Sequence, residues 1–174
     1  VIKTGGQTNH PQPLKKAHIL IVDDNETNLQ IATELLQDWG ATTEIAENGA
    51  RAIALINNNA PEHFNLVLMD IEMPVMNGHQ ATRLIRALPQ FAHLPILAMT
   101  AHAIGHDVDQ ALSEGMNGHI AKPLEPELLL SKLLSHLNRS RPDTTAPSRA
   151  NPPAEQDALP TAIRAIPGLD QQAL

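Results

Sequence analysis

"LVLMDIEMPVMNG", residues 66–78, runs an apolar stretch into a single aspartate and then breaks at Pro74 and Gly78. Continuous apolarity over 66–69 fits a strand buried on both faces, as in a parallel sheet, and Asp70 marks where it stops. Four other runs share this β-rich character: "HILIV" (18–22), "TTEIA" (42–46), "ILAMT" (96–100) and "GHIA" (118–121). Between and after them the spacing of apolar residues predicts helices near 26–39, 49–58, 78–88, 105–114 and 125–137. Alternation of this kind implies right-handed crossovers and an α/β fold, a five-stranded parallel sheet with helices on both faces. The first and third strands are apolar enough for central positions, whereas "TTEIA" is half polar and fits an edge.

Polar residues gather where the strands end. Asp23 and Asp24 follow the first, Asp70 closes the third, Thr100 closes the fourth and Lys122 follows the fifth. In an open parallel sheet all carboxyl ends share one edge, where ligands bind, so these five residues are expected to converge. Three neighbouring carboxylates repel one another unless a cation neutralises them, which implies a hard divalent ion. Oxygen ligands without His or Cys suit Mg²⁺. An aspartate is also a competent nucleophile toward phosphorus. A metal, a Lys ammonium and a Thr hydroxyl suit phosphoryl transfer, which depends on positioning and on neutralising the equatorial oxygens. Taken singly, each residue has an ordinary reading: Asp23, Asp24 and Asn25 as helix caps, Thr100 in a turn, Lys122 on a loop. Their conjunction on one sheet edge is what argues for a site.

Composition bounds the rest. The chain has 174 residues, no cysteine and a formal net charge of −7, with a pI near 5.6. Scattered basic residues on an acidic chain argue against nucleic acid as a partner. Absence of cysteine excludes disulfides and thiolate metal sites and fits a cytoplasmic setting. No apolar run is long enough to span a bilayer, so this piece is not expected to contact the membrane. Residues 1–16 and 139–174 are rich in Pro, Gly, Ala and polar residues and read as linkers around a folded unit at 17–138. The last stretch, "AIRAIPGLDQQAL", regains apolar residues at near-helical spacing.

The blocks "ILIVDDN", "LVLMDIEMPVMNG", "ILAMTAHA" and "GHIAKPL", in this order and spacing, resemble the signature of the response-regulator receiver domain, the CheY-like family. The resemblance covers about 17–138 and implies a flavodoxin-like sheet in the order 2-1-3-4-5. It also implies that Asp70 accepts phosphate from a histidine of a sensor kinase, with Mg²⁺ held by Asp23, Asp24, Asp70 and the backbone carbonyl of Glu72. Thr100 would contact and report the phosphate, and Lys122 would pair with it. The wording of "DIEMPVMNG" and "MTAHA" between Pro-rich linkers looks like the receiver of a hybrid sensor histidine kinase, a parent that would be anchored in the inner membrane. "IPGLDQQAL" is similar to the lead-in of a histidine phosphotransfer domain. The implied partners are therefore a kinase dimerisation domain, a phosphotransfer domain, or both.

One position departs from the family pattern: three residues before the lysine, where Tyr or Phe is usual, stands His119. The usual aromatic switch is thereby in question, though the phosphorylation chemistry is not. In the first helix, Asn28, Ala32, Leu35 and Trp39 share one face with Ile31 at its margin, which leaves Leu29 and Leu36 on the flank as a candidate docking surface. His136 reads as solvent-facing, and His102 with His106 lack an evident third metal ligand. Two rival functions remain at this stage. A haloacid-dehalogenase-type phosphatase would need a second Asp two residues after the nucleophile, where this chain has Glu72. A docking pseudo-receiver would be expected to have lost an acid or the lysine.

Overall fold

The computed structural model describes residues 11–101 and 105–139. The stretches 1–10 and 140–174, most of the expected linkers, and His102 lie outside the described residues. Five strands, β1 (His18–Val22), β2 (Thr42–Ala46), β3 (Leu66–Asp70), β4 (Ile96–Thr100) and β5 (Gly118–Ala121), alternate with helices α1 (Glu26–Asp38), α2 (Gly49–Asn57), α3 (Gly78–Arg86), α4 (His106–Ser113) and α5 (Pro126–Arg139). The sheet is parallel throughout, in the order β2-β1-β3-β4-β5. A 3-10 turn at Pro89–Phe91 falls where periodicity assigns nothing; Pro89 opens it and the buried Phe91 anchors it.

Every residue of β3 and β4 is buried, and β1 is buried after its first residue. This is the burial that continuous apolarity demands of central strands. On one face Leu20, Val22, Val67, Met69, Ile96 and Ala98 pack with α2, α3 and α4 through residues such as Ile56, Ile85 and Ala111. On the other, Ile19, Ile21, Leu66, Leu68, Leu97 and Met99 pack with α1 and α5. Helix starts are set locally. Asn25, Asn48 and Asn77 cap α1, α2 and α3 by accepting from backbone N–H groups of the first turn, and Gln80 completes a capping box at α3.

Three features differ from the sequence expectation. Leu29 and Leu36 are not a surface flank: they are 8% and 0% exposed and, with Ala32, form the seam of α1 against the sheet and α5. The apolar stripe of α1 is wide, and its rotation puts Ile31 in solvent at 45% exposure instead. Leu14, inside the stretch read as linker, is also core, with its N–H bonded to the Trp39 carbonyl at 2.9 Å. His136 is half-buried, its Nε2 lying close over Gly118, so it is not simply solvent-facing.

Candidate functional site

The carboxyl ends of β1, β3, β4 and β5 bring Asp23, Asp70, Thr100 and Lys122 to one edge of the sheet. Register explains the convergence, since Asp70 lies opposite Met99 and Thr100 opposite Ala121. A backbone bond from Lys122 N–H to the Thr100 carbonyl, 2.8 Å, carries the pairing one residue beyond β5.

Asp23 is fully buried and does not cap α1. Asn25 takes the capping role, and its own N–H donates to Asp23 Oδ1 at 2.9 Å. The Asn28 amide donates toward both Asp23 oxygens at 3.2 Å, which orients the carboxylate. This positioning role was not foreseen from the sequence, where Asn28 reads only as a face residue; an Asn one turn after a strand-end acid is the signal that was available. Asp24 is exposed. Carboxylate oxygens of Asp23, Asp24 and Asp70 all lie within 4.8 Å of one another.

Lys122 sits between two of these acids, its Nζ 2.7 Å from Asp23 Oδ2 and 3.0 Å from Asp70 Oδ1. The repulsion inferred from three carboxylates is therefore relieved in part by the protein's own ammonium. Burial pushes the Asp70 carboxyl above its ordinary value; Lys122 and the Glu72 N–H pull it down, and the Asp23 charge adds to the rise. Burial acts to lower the Lys122 pKa, but its bonds to Asp23 and Asp70 outweigh this and hold the ammonium above its usual value.

Beside Asp70 a cleft of about 100 Å³ is bounded by Glu72, Thr100, Ala101, Asp107 and Lys122. Thr100 is buried at 4% exposure, and Glu72 is exposed. Gly78 closes the loop after β3: its N–H donates to the Ile71 carbonyl at 3.0 Å, and a Cβ there would collide with the Asp70 carbonyl oxygen. Only glycine lets α3 start this close to the site. Of the remaining sequence candidates, His119 is half-buried on β5 opposite Ala98, on the sheet face that carries α4, and Leu29 and Leu36 lie in the core, away from any surface.

Residues 19–134 match the family model described as the response regulator receiver domain. The chain belongs to the response regulator receiver family. Among solved structures, the receiver domain of a sensor histidine kinase from Pseudomonas aeruginosa, with a magnesium ion coordinated in its active-site cleft, is similar at 31% identity. That match has a TM-score of 0.65 and covers 70% of this chain and 98% of the other. A chemotaxis protein CheY4 of Vibrio cholerae is similar at 31% identity and TM-score 0.64, over 68% of this chain and 97% of that one. Curated relatives include the sensor protein GacS of Pseudomonas syringae, 35% identical over 91% of this chain and 17% of its own length. The histidine-protein kinase BarA of Escherichia coli is 37% identical over 68% of this chain and 12% of its own length. The receiver chain thus spans less than a fifth of either relative. Among the described residues no helix is long and apolar enough to cross a membrane.

Proposed function

We propose that this receiver is the phosphoacceptor of a two-component phosphorelay, with Asp70 taking a phosphoryl group from a phosphohistidine. The observation that carries the reading is the buried Asp70 carboxylate at the end of a central strand, 3.0 Å from Lys122 Nζ and beside a cleft that Thr100 and Lys122 also line. In the transfer an Asp70 oxygen bonds to phosphorus as the phosphorus–nitrogen bond of the donor breaks, and the bonding pair leaves on the imidazole nitrogen. A carboxylate raised above its ordinary pKa by burial is the more nucleophilic for it. Lys122 holds Asp70 in place before transfer and follows the phosphoryl oxygens after it. The Thr100 hydroxyl, at the cleft, accepts the role of contacting one of those oxygens and reporting the modification.

The donor set fits Mg²⁺. Three carboxylates within 4.8 Å and no nitrogen or sulfur ligand among them match a hard cation that keeps part of its water shell. Asp23, Asp24, Asp70 and the backbone carbonyl of Glu72 would hold it. Bound there, Mg²⁺ supplies positive charge against the phosphoryl oxygens. Asn28 keeps Asp23 oriented for this, and the receiver catalyses its own phosphorylation and dephosphorylation in the sense that its side chains do the positioning.

The donor is a histidine kinase dimerisation domain or a histidine phosphotransfer domain, and the phosphoryl group is either passed on or read as a conformational change. The parent is a hybrid sensor histidine kinase anchored in the inner membrane with this domain on the cytoplasmic side. Similarity to histidine kinases, and the 91% span of the match to the sensor protein GacS, support a histidine-kinase parent. His119 replaces the usual ring and makes the inward and outward states of the switch closer in energy, because a polar imidazole loses less by staying in water. Incubation with acetyl phosphate and Mg²⁺ tests the reading: wild type takes up one phosphoryl group and Asp70→Asn takes up none. Undiminished labelling of Asp70→Asn would refute it.

A further inference from the structure

At the edge of the sheet opposite Asp70, three side chains from separate segments meet. His18 opens β1, Glu44 lies in β2 and His63 precedes β3. In the β1–β2 register His18 faces Thr42 and Leu20 faces Glu44, so His18 and Glu44 project from the same side of the sheet. The Nε2 atoms of both histidines converge on one carboxylate oxygen: His63 Nε2 is 2.8 Å from Glu44 Oε1 and His18 Nε2 is 3.1 Å from it. One ligand atom from each residue falls within 4.8 Å of the others.

Ordinary hydrogen bonding accounts for half of this. The His63 contact is a hydrogen bond, but His18 Nε2, buried from solvent and 3.1 Å from the same oxygen, makes no well-formed hydrogen bond. A buried nitrogen left unpaired costs free energy. A double salt bridge does not resolve it, since two imidazolium rings with centroids 4.4 Å apart would repel. Burial and then His63 hold the His18 imidazole below its ordinary pKa, with Glu44 only partly offsetting.

We propose that His18, Glu44 and His63 form a binding site for a divalent transition-metal ion of the Zn²⁺ type, separate from the acidic site at Asp70. Two imidazole nitrogens and one carboxylate oxygen are a donor set that Zn²⁺ accepts and Mg²⁺ avoids. Bonds of about 2.1 Å at tetrahedral angles put ligand atoms about 3.4 Å apart. The present 2.8 and 3.1 Å separations need to open by only a few tenths of an ångström.

The frame is already fixed. His18 N–H donates to Asn65 Oδ1 at 2.7 Å and Asn65 N–H returns to the His18 carbonyl at 2.8 Å, which ties β1 to the loop bearing His63. The buried Phe64 packs against both rings, with centroids 5.2 and 4.6 Å away. Side-chain exposures of 20%, 34% and 31% place the three residues at the margin of the surface. A bound ion would join β1, β2 and the entry to β3, and so stiffen the sheet where phosphorylation chemistry does not reach.

Calorimetric titration of the untagged full chain with Zn²⁺, in excess Mg²⁺ to occupy the acidic site, tests the proposal. Co²⁺ serves as a spectroscopic probe, because a low-coordinate nitrogen and oxygen site gives a stronger visible band than an all-oxygen octahedral one. Wild type should bind one Zn²⁺ through this site. Glu44→Gln and His63→Gln should each weaken that binding at least about tenfold, by comparison with the losses seen even for outer-shell changes, and should lose the Co²⁺ band. Asp70→Asn should bind Zn²⁺ like wild type. Circular dichroism confirms that each variant is folded, and His18→Gln provides a second pair of variants should one fail. Absence of Zn²⁺ binding by wild type, or equal affinity in folded Glu44→Gln and His63→Gln, overturns the site.

Discussion

Replacing Lys122 with alanine leaves Asp23 and Asp70 facing each other without their ammonium. Both acids are buried, at 0% and 5% exposure, and the lost contacts are 2.7 and 3.0 Å. Removing one partner of a buried ion pair costs about 3–5 kcal/mol. Protonation sets a ceiling on that cost. Asp70, already raised by burial, can escape by taking up a proton, which at pH 7 costs at most about 4 kcal/mol for an acid with an unfolded pKa near 3.9. At pH 5 the same ceiling is only about 1.5 kcal/mol. The sign follows from linkage: an acid whose folded pKa is raised binds more protons folded than unfolded, so the variant loses stability as pH rises above the unfolded value. Thermal unfolding in EDTA, followed by far-UV circular dichroism, should show Lys122→Ala about 3–4 kcal/mol below wild type at pH 7, or about 10–15 °C in Tm for a domain of this size. The deficit should shrink at pH 5. Added Mg²⁺ should recover more stability in the variant than in wild type, because the acids have lost their competing cation. A deficit under about 1 kcal/mol at pH 7, or one equal at pH 5 and 7, would refute the view that Lys122 neutralises this pair.

Other outcomes follow from the same contacts. Leu36→Ala, at a position with no exposure, should cost about 2–5 kcal/mol in urea unfolding; a change within about 0.5 kcal/mol would return Leu36 to the surface. Gly78→Ala should slow phosphorylation by acetyl phosphate and lower Tm together, since its Cβ collides with the Asp70 carbonyl; normal rates would show that the loop yields freely. Glu114 is held below its ordinary pKa: burial acts to raise it, but Gln110, His79 and Arg83 outweigh burial through contacts of 3.2, 2.6 and 2.8 Å. Its stabilisation is present above the unfolded pKa of 4.5 and is lost as pH falls through the folded value. Unfolding between about pH 3 and 6 should therefore show an acid-side loss that Glu114→Gln removes, and identical pH profiles would contradict this.

Strand positions were legible because burial on both faces demands uninterrupted apolar runs, and "HILIV" and "ILAMT" begin and end where β1 and β4 do. The site was legible for a related reason: a polar residue that ends such a run lands on the ligand-binding edge whatever the rest of the chain does. Helix faces were harder. Leu29 and Leu36 became a flank only through a choice of rotation about α1 that its wide apolar stripe does not determine, whereas packing against Ile21 and Leu133 does. From chain order Lys122 reads as a phosphate partner alone, because nothing in that order shows that it also reaches Asp23. Gly78 gave no sign of its contact with Asp70, and His18, Glu44 and His63 are too far apart in sequence for spacing to link them. Each of these depends on a tertiary approach that local pattern does not encode.

The central claim is that the modified atom belongs to Asp70. After incubation of the full chain with acetyl phosphate and Mg²⁺, borohydride reduction converts an acyl phosphate of aspartate to homoserine, which peptide mass spectrometry places in the sequence. Homoserine is expected at position 70 only, dependent on both acetyl phosphate and Mg²⁺. Homoserine at Asp23 or Asp24, or a phosphoryl group found on a histidine with Asp70 unchanged, would contradict it.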